Sequence, residues 1–260
     1  MNRRVLKQTS VVLVEPQDDI NIGTVMRAAR NFGIESTRLV RPATADPHKI
    51  AISAPRCESL IDELVHYDEV DEAIGDCVLT LGFTARRRAA NWRVIEPRQA
   101  ARQVVDATKK GRVGLMFGRE DSGLSNRDLD RCHAVVTVPT NPEYSSLNLG
   151  QAVSIGLWEV FRASQGIDTE GQDLGDVDVD SDFEPAHIQG LERMFEQAEE
   201  ALETIEFFKT ETHEHIMRSI RSVLLRAELD SRELAIWLGI FKEVVAYIER
   251  TQRSQSSAKQ

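Results

Sequence analysis

The sequence predicts an α/β domain built on a mainly parallel sheet, followed by an all-α C-terminal extension. Before residue 164, five short apolar runs alternate with segments of helical spacing. In the C-terminal part, apolar residues recur three or four positions apart, and an acidic stretch separates the two parts. Alternating strands and helices are typical of a parallel sheet covered on both faces.

The predicted strands are mainly apolar runs, as a doubly covered sheet requires. They cover residues 11–14, 38–40, 77–81, 113–117 and 135–138. The first helix begins close to Asn21 and is expected to stop at Gly33. Residues 1–10 are expected to be frayed, and residues 43–77 are mostly helical in pattern. Further helices are predicted at 98–110, opened by Pro97, and at 148–163.

The chain divides into a domain at 1–164, an acidic linker at 165–184, a helical extension at 185–252 and a disordered tail at 253–260. Three helices are predicted in the extension, and Asp230 with Glu233 has capping-box spacing for the last one. The extension could form a small bundle, pack on the first domain or pack on another subunit.

The net charge of −10 argues at first against a nucleic-acid partner. However, residues 168–184 hold eight acids and no base, whereas residues 86–112 are locally basic. Net charge alone therefore decides little.

Composition favours a cytoplasmic protein without a membrane span, because no apolar run approaches the roughly 20 residues that a bilayer requires. Three cysteines without C-x-x-C spacing indicate neither a disulfide framework nor a zinc ribbon. His213 and His215 have no acidic or cysteine partner at metal spacing, so a solvated helix face is expected there and no metal site.

The polar loop after the last predicted strand is the first candidate for chemistry. It runs through residues 139–146 and leads into a helix near Asn148. A strand that feeds a helix places small polar groups at the carboxyl edge of the sheet, where open α/β folds bind ligands. Ser145, Ser146 and Asn148 are therefore candidate site residues.

Three segments, 21–29, 115–125 and 138–149, resemble in order and spacing the three motifs of the SPOUT-class RNA ribose methyltransferases. One branch of that family methylates a ribose 2′-hydroxyl in the tRNA anticodon loop. The chain resembles this branch in the sequence of residues 141–149, in the stretch 226–230 and in having a helical extension. The resemblance covers residues 11–163 and then continues into the extension.

The resemblance implies a trefoil knot in the last part of the α/β domain, an obligate homodimer, bound S-adenosylmethionine and no metal. It implies tRNA as substrate, at cytidine or uridine 32. Periodicity and spacing do not indicate a knot, which general fold rules disfavour. Ribosomal RNA ribose methylation and a non-catalytic RNA-binding role remain alternatives. A nicotinamide-binding domain is discounted, because no G-x-G-x-x-G follows the first strand.

The family's site residues carry over by position. The implied catalytic set is Asn21, Arg27, Glu120, Ser146 and Asn148. The implied cofactor contacts are Phe83, Thr84, Ala85, Gly118, Val138, Ser145, Ser146 and Leu147.

Each assignment has a structural alternative. Arg27 would bind a substrate phosphate and approach the cofactor loop of a second subunit, or it is a surface arginine. Asn21 would orient Arg27, cap its helix, or both, and Glu120 would orient a partner or form a surface ion pair. Ser146 and Asn148 could simply cap the helix that starts there. Gly118 would let a cofactor approach the backbone or serve only as a turn glycine.

Three further features bear on RNA binding. The family usually has a proline-glycine pair before the first motif, whereas Asp18 and Asp19 here would add negative charge beside the RNA. Residues 86–88, three arginines, are either a tRNA phosphate contact or a solvated face. Tyr144 would stack on a flipped base or close its loop.

Overall fold

The computed structural model of the protein describes residues 3–85, 92–167, 184–209 and 213–257. Its strands within these residues are β1 (Thr9–Val14), β2 (Ser36–Val40), β3 (Val65–Tyr67), β4 (Cys77–Phe83), β5 (Val94–Ile95), β6 (Arg112–Phe117) and β7 (Ala134–Val136). Its helices up to residue 164 are α1 (Arg3–Gln8), α2 (Asp19–Asn31), α3 (Pro47–Ser53), α4 (Glu58–Asp62), α5 (Val70–Ile74), α6 (Pro97–Ala107), α7 (Asn126–Leu129) and α8 (Leu149–Ser164). The extension contributes α9 (Ile188–Thr204), α10 (His213–Arg226) and α11 (Ser231–Ser257).

The strands form one sheet in the order β3-β2-β1-β6-β4-β7-β5, and every neighbouring pair is parallel. The predicted parallel α/β class is thereby confirmed. The four central strands β1, β6, β4 and β7 are neighbours although they are distant in sequence, so the loops at their carboxyl ends share one edge of the sheet.

Two strands and one helix depart from the sequence prediction. Val65, predicted as helical, lies in the three-residue edge strand β3, and β5 has only two residues, so neither strand carries a recognisable apolar run. The N-terminus is helical rather than frayed, because Val5 and Leu6 are buried at 1% exposure in the main core. Two apolar residues in a polar segment are too few to show a helical period.

The extension packs on the second face of the sheet. One core lies between the sheet and the helices α1, α2, α3, α6 and α8. The other contains Ile188, Leu191, Met194 and Phe195 of α9, together with strand residues such as Val12 and Met116. Of the three open possibilities for the extension, packing on the first domain is the one observed.

Charged contacts join α9 and α10 to the rest of the fold. Arg218 of α10 donates to both oxygens of Asp130, at 2.8 and 2.9 Å, and Arg221 lies 4.4 Å over the ring of Phe195.

The predicted capping box of α11 is present, with Glu233 N donating to Asp230 Oδ1 at 2.6 Å. The helix continues to Ser257, past residue 253, where the tail was predicted to begin. Most of the predicted linker, residues 168–183, lies outside the described residues.

No helix within the described ranges has the length and apolar character that a bilayer crossing would need. The trefoil knot, implied by the resemblance, stays a prediction.

Candidate functional site

A pocket of about 340 Å³ lies at the carboxyl ends of the strands β4, β6 and β7. It is formed by the loops that follow β4, β6 and β7 and by the first turn of α8. Its lining residues are Phe83, Thr84, Ala85, Phe117, Gly118, Arg119, Glu120, Asp121, Ser122, Gly123, Val136, Val138, Ser145, Ser146, Leu147, Leu149 and Ala152. All eight residues predicted to contact the cofactor are among them.

The pocket has an aromatic wall. Phe83 and Phe117, at the ends of neighbouring strands, stack with centroids 4.4 Å apart and planes 21° apart. Helix α8 crosses this pair at Gly156, where an added Cβ would come within 2.9 Å of Phe83 Cζ. The glycine lets α8 lie close to the wall, and its first turn thereby reaches the pocket.

The loop after β6 is a tight turn held by two glycines. An added Cβ on Gly118 would lie 2.2 Å from both Gly123 C and Leu124 N. Gly123 has φ +70° and donates its N–H to Arg119 O at 2.8 Å. The backbone of Gly123 and Leu124 leaves no space for a side chain at Gly118, so the tight turn by itself requires glycine there, with or without a bound cofactor.

Side chains from the three motif segments form one chain of hydrogen bonds at the pocket. Asn21 Nδ2 donates to Glu120 Oε1 at 3.1 Å, and Asn148 Nδ2 donates to Asn21 Oδ1 at 3.1 Å. The second oxygen of Glu120 accepts the backbone N–H of Gln17 at 3.0 Å. Glu120 thus orients Asn21. Its two oxygens accept from an amide and a backbone N–H, so among the described residues Glu120 does not form the surface ion pair that was the alternative.

Helices α2 and α8 bring Asn21 and Asn148 together because they run side by side with adjacent N-termini. An added Cβ on Gly150 would meet Thr24 Cγ2 at 2.5 Å, so the helices touch at their first turns. Asn148 is the N-cap of α8, and its Oδ1 accepts from Gly150 N at 2.9 Å. Asn148 therefore has both the capping role and the contact with Asn21.

Asn21 is not an N-cap, contrary to one of the two roles predicted for it. The cap of α2 is Asp18, whose Oδ1 accepts from Ile20 N at 2.7 Å. Asp19 is 4% exposed and accepts from Thr44 Oγ1 and Asp46 N at 3.0 and 2.9 Å. Both aspartates accept hydrogen bonds within the fold, and Asp18 stays exposed, so the negative charge that they would add beside the RNA stays a prediction.

The loop between β7 and α8 leaves hydroxyl groups open to solvent. Thr140 Oγ1 donates to Ser145 O at 3.1 Å and holds the two ends of the loop together. Ser146 is exposed and has no side-chain hydrogen bond to another described residue. It does not cap α8, so its hydroxyl is available at the pocket. Tyr144 is 80% exposed, which excludes that its ring closes the loop by burial.

Arg27 is the one predicted catalytic residue outside this network and outside the pocket lining. Gly23, Arg27 and Arg30 share a face of α2, and an added Cβ on Gly23 would meet Ser53 Oγ at 2.2 Å. This face is directed towards α3, whereas Asn21 is directed towards α8. Arg27 is exposed and has no ion pair or hydrogen bond within the described residues.

An ion-pair network that sequence reasoning missed borders the pocket. Arg119 binds Asp121 at 3.0 Å and Glu15 at 3.3 Å, and Gln17 Nε2 donates to Asp121 Oδ2 at 3.2 Å. The hydrogen bonds from Arg119 and Ser122 hold the pKa of Asp121 well below its ordinary value. Arg119 and Asp121 lie in the second motif segment after β6, and Glu15 and Gln17 lie in the loop after β1, so their positions just after strands were the available signal.

Two other predictions concern charged groups away from the pocket. His213 Nε2 lies 2.8 Å from Glu199 Oε1 and 4.0 Å from Glu203 Oε1, so the expected lack of acidic partners is wrong. These partners come from α9 and are not evident from sequence spacing. The arginines at 86–88 lie outside the described residues.

Comparisons with known proteins agree with this architecture. The model of the SpoU rRNA Methylase family matches residues 8–158, and the model of the tRNA methyltransferase TrmJ C-terminal domain matches residues 189–256. The tRNA (cytidine/uridine-2′-O-)-methyltransferase TrmJ of Sodalis glossinidius is 34% identical over 98% of this chain and 96% of its own length. The TrmJ of Photorhabdus laumondii is 32% identical over 95% of this chain and 100% of its own length.

Solved structures show the same likeness. The crystal structure of TrmJ from Z. mobilis superposes with a TM-score of 0.77 at 31% identity, covering 91% of this chain and 98% of that one. A probable methylase family protein from Haemophilus influenzae has a TM-score of 0.58 at 30% identity, covering 95% of this chain and 99% of that one. The chain belongs to the SpoU RNA methylase family and, within it, to the TrmJ group.

Proposed function

We propose that the protein is an S-adenosylmethionine-dependent methyltransferase that modifies a ribose 2′-hydroxyl of tRNA, at cytidine or uridine 32 of the anticodon loop. A cytoplasmic location follows from that substrate. The observation that carries the proposal is the hydrogen-bond chain Glu120–Asn21–Asn148, which joins all three motif segments beside the pocket that Glu120 lines. The similarity to TrmJ proteins along nearly the whole chain supports the choice of tRNA.

The donor set of the pocket fits S-adenosylmethionine. The stacked pair Phe83 and Phe117 offers an apolar surface to a planar base, and Glu120, which has no ion pair with a described residue, offers negative charge to a cationic donor. When bound, S-adenosylmethionine supplies an electrophilic methyl group, and this transfer needs no metal. The chain's contribution is chiefly to hold the attacking oxygen in line, which is a positioning task.

The hydrogen-bond chain performs that positioning in our proposal. Glu120 fixes the amide of Asn21, and Asn21 fixes Asn148 at the start of α8. The free hydroxyl of Ser146 lies on the loop just before this point and would contact the ribose. The backbone N–H groups at the N-termini of α2 and α8 favour a nearby negative charge, so they would stabilise the oxygen as its proton passes to a phosphate oxygen of the RNA or to water.

We propose further that the active form is a homodimer in which Arg27 serves the pocket of the partner. Arg27 is directed away from the Asn21 side of its helix, so its own pocket is not the one that it serves. At the far ends of α2 and α8, Phe32, Trp158 and Phe161 form an aromatic cluster in which Trp158 is 48% exposed. An exposed aromatic cluster of this kind supports a subunit interface beside Arg27.

The test is methyl incorporation from labelled S-adenosylmethionine into unmodified tRNA, with ribosomal RNA as the second substrate. We expect incorporation into tRNA alone, mapped to the ribose at position 32 and lost in Arg27→Ala. Incorporation into ribosomal RNA alone would show that the substrate is ribosomal RNA, as the family's name states, and not tRNA. If the protein binds RNA but neither binds the cofactor nor transfers a methyl group, it is a non-catalytic RNA-binding protein.

Mixing two inactive variants tests the shared site. Arg27→Ala and Asn21→Ala proteins, each inactive alone, should recover about a quarter of wild-type activity when equal amounts exchange subunits. Half of the dimers are then mixed, and one of the two pockets in each mixed dimer is intact. No recovery in a verified mixed dimer would contradict a site built from two subunits.

A further inference from the structure

Three exposed arginines that form no ion pair with another described residue lie on the α2–α4 side of the molecule, near the buried thiol of Cys57 in space or in sequence. Arg27 and Arg30 are one turn apart on α2, and both lower the pKa of the Cys57 thiol, although burial has the larger, opposite effect and raises it. Arg56 precedes Cys57 in the chain and has φ +65°. All three side chains belong to exposed residues, and we call this group the arginine surface.

The described arginines divide into those held in ion pairs and those without one. Acids outnumber bases by 42 to 32, and at least ten of the described arginines are in ion pairs. Arg27, Arg30 and Arg56 form neither an ion pair nor a side-chain hydrogen bond with any described residue. Among the described residues, the acid that acts on the same thiol is Glu58, which raises the pKa of Cys57.

We propose that the arginine surface binds backbone phosphates of the RNA substrate that flank the methylated nucleotide. The proposal rests on the proposed function, because it takes the RNA substrate and the place of Arg27 beside it from there. Exposed guanidinium groups without internal partners gain most from an external polyanion, because no ion pair has to be broken first. Phosphate contacts of this kind fix register on RNA and carry no sequence information. Arg30 and Arg56 would thus position the strand that Arg27 holds at the reaction centre.

The proposal predicts how the affinity for tRNA depends on salt concentration. Each arginine that neutralises a phosphate releases counterions, and each contact adds about 0.7 to 0.9 to the slope of log affinity against log salt concentration. Removal of Arg30 and Arg56 should therefore lower the slope by about 1.5 and raise KM for tRNA about tenfold. The kcat value and the affinity for S-adenosylmethionine should not change, because neither residue lines the pocket.

The experiment compares the double variant Arg30→Gln/Arg56→Gln with the wild type in tRNA-binding titrations at several salt concentrations and in steady-state methylation. Arg193→Gln is the matched control, since Arg193 is also exposed and without a partner but lies on α9. Arg30→Lys/Arg56→Lys should restore most of the affinity, because a phosphate accepts either cation. Glu58→Gln should tighten binding, because it removes the opposing charge.

The proposal is overturned if the folded double variant keeps the wild-type slope and KM, or if Arg193→Gln reduces both as strongly. Because tRNA binding is measured without methyl transfer, the arginine surface and the proposed function can be contradicted independently of each other. If the double variant has a lower salt slope than the wild type, but the wild type transfers no methyl group, the arginine surface is supported and the proposed function is contradicted. Methylation of tRNA with an unaltered slope in the double variant would contradict the arginine surface alone.

Discussion

Asn148 donates its side-chain N–H to Asn21 Oδ1 across a separation of 127 residues, at 3.1 Å. The same Asn148 caps α8 through its oxygen, so one amide group stabilises a helix and links two motif segments. Its C=O group accepts and its NH₂ group donates, and the two groups branch from Cγ in different directions. A serine hydroxyl can also donate and accept, but it is a single atom one bond closer to the backbone, so we expect it to keep the cap and not to reach Asn21.

The two roles of Asn148 can be separated by substitution. Asn148→Ser should keep the cap and lose the contact with Asn21, whereas Asn148→Ala should lose both. We expect unfolding free energies close to wild type for serine and about 1 kcal/mol lower for alanine. Methylation should fall about a hundredfold in both variants if the contact positions the ribose. Serine activity equal to wild type would show that Asn148 acts only as a cap.

The turn at Gly118 should not tolerate a side chain. In Gly118→Ala the new Cβ would lie 2.2 Å from backbone atoms of Gly123 and Leu124, so the loop must move. We expect a lower melting temperature and weaker binding of S-adenosylmethionine, measured by calorimetry. Gly239→Ala is the control, because an added Cβ in α11 has nothing within 4 Å. That control should leave binding unchanged, and equal behaviour of the two variants would contradict the explanation.

Acid should destabilise the fold through His133 before the carboxylates protonate. His133 Nδ1 accepts from Thr80 N at 3.1 Å, and desolvation lowers the pKa of His133 from 6.5 to about 4. The unfolded chain therefore binds a proton that the folded chain does not. Stability should decrease as the pH falls from 6.5 to 4, by at most about 3 kcal/mol at about 1.36 kcal/mol per pKa unit.

Denaturant titrations at pH 7, 5.5 and 4.5 measure this loss. His133→Gln keeps an acceptor for Thr80 and has no titrating ring, so its stability should vary less over the same interval. Below pH 4, protonation of Asp71 and Asp76 adds a second loss, since contacts with arginines lower the pKa of both carboxyl groups. An unchanged pH dependence in His133→Gln would show that His133 is not the group responsible.

Phe195 should be as important for stability as any residue of the α/β part. It is 1% exposed in the core between α9 and the sheet, with Arg221 over its ring. Phe195→Ala should lower the unfolding free energy by about 3–5 kcal/mol. Phe207→Ala, at a residue that is 51% exposed, should lower it far less. A small effect of Phe195→Ala would mean that the extension is not part of the main folding unit.

Sequence patterns predicted the parts of the fold that have strong local signals. The central strands were found because they are fully buried apolar runs, and the pocket was placed correctly because strand ends in a parallel sheet share an edge. Strands β3 and β5 were missed because short edge strands have no period of their own. The helix α1 was missed because its burial depends on α8, about 150 residues later in the chain.

The candidate site was predicted residue by residue through the resemblance, but its connections were not. Glu120, Asn21 and Asn148 were named, yet their hydrogen bonds depend on the parallel arrangement of α2 and α8, which no local pattern encodes. The cap of α2 was assigned to Asn21 rather than Asp18, because both residue types are good caps. The outward direction of Arg27 follows only from the packing of Gly23 on α3.

The position of α9 on the second face of the sheet affects how the protein folds during translation. Ribosomes release the N-terminal part of a chain first, so the sheet is synthesised before the helix that covers it. Until residue 204 has emerged, the nascent chain has no α9 with which to cover Val12 and Met116. Chaperones that bind apolar segments would therefore be expected to associate with this intermediate and to dissociate once α9 docks.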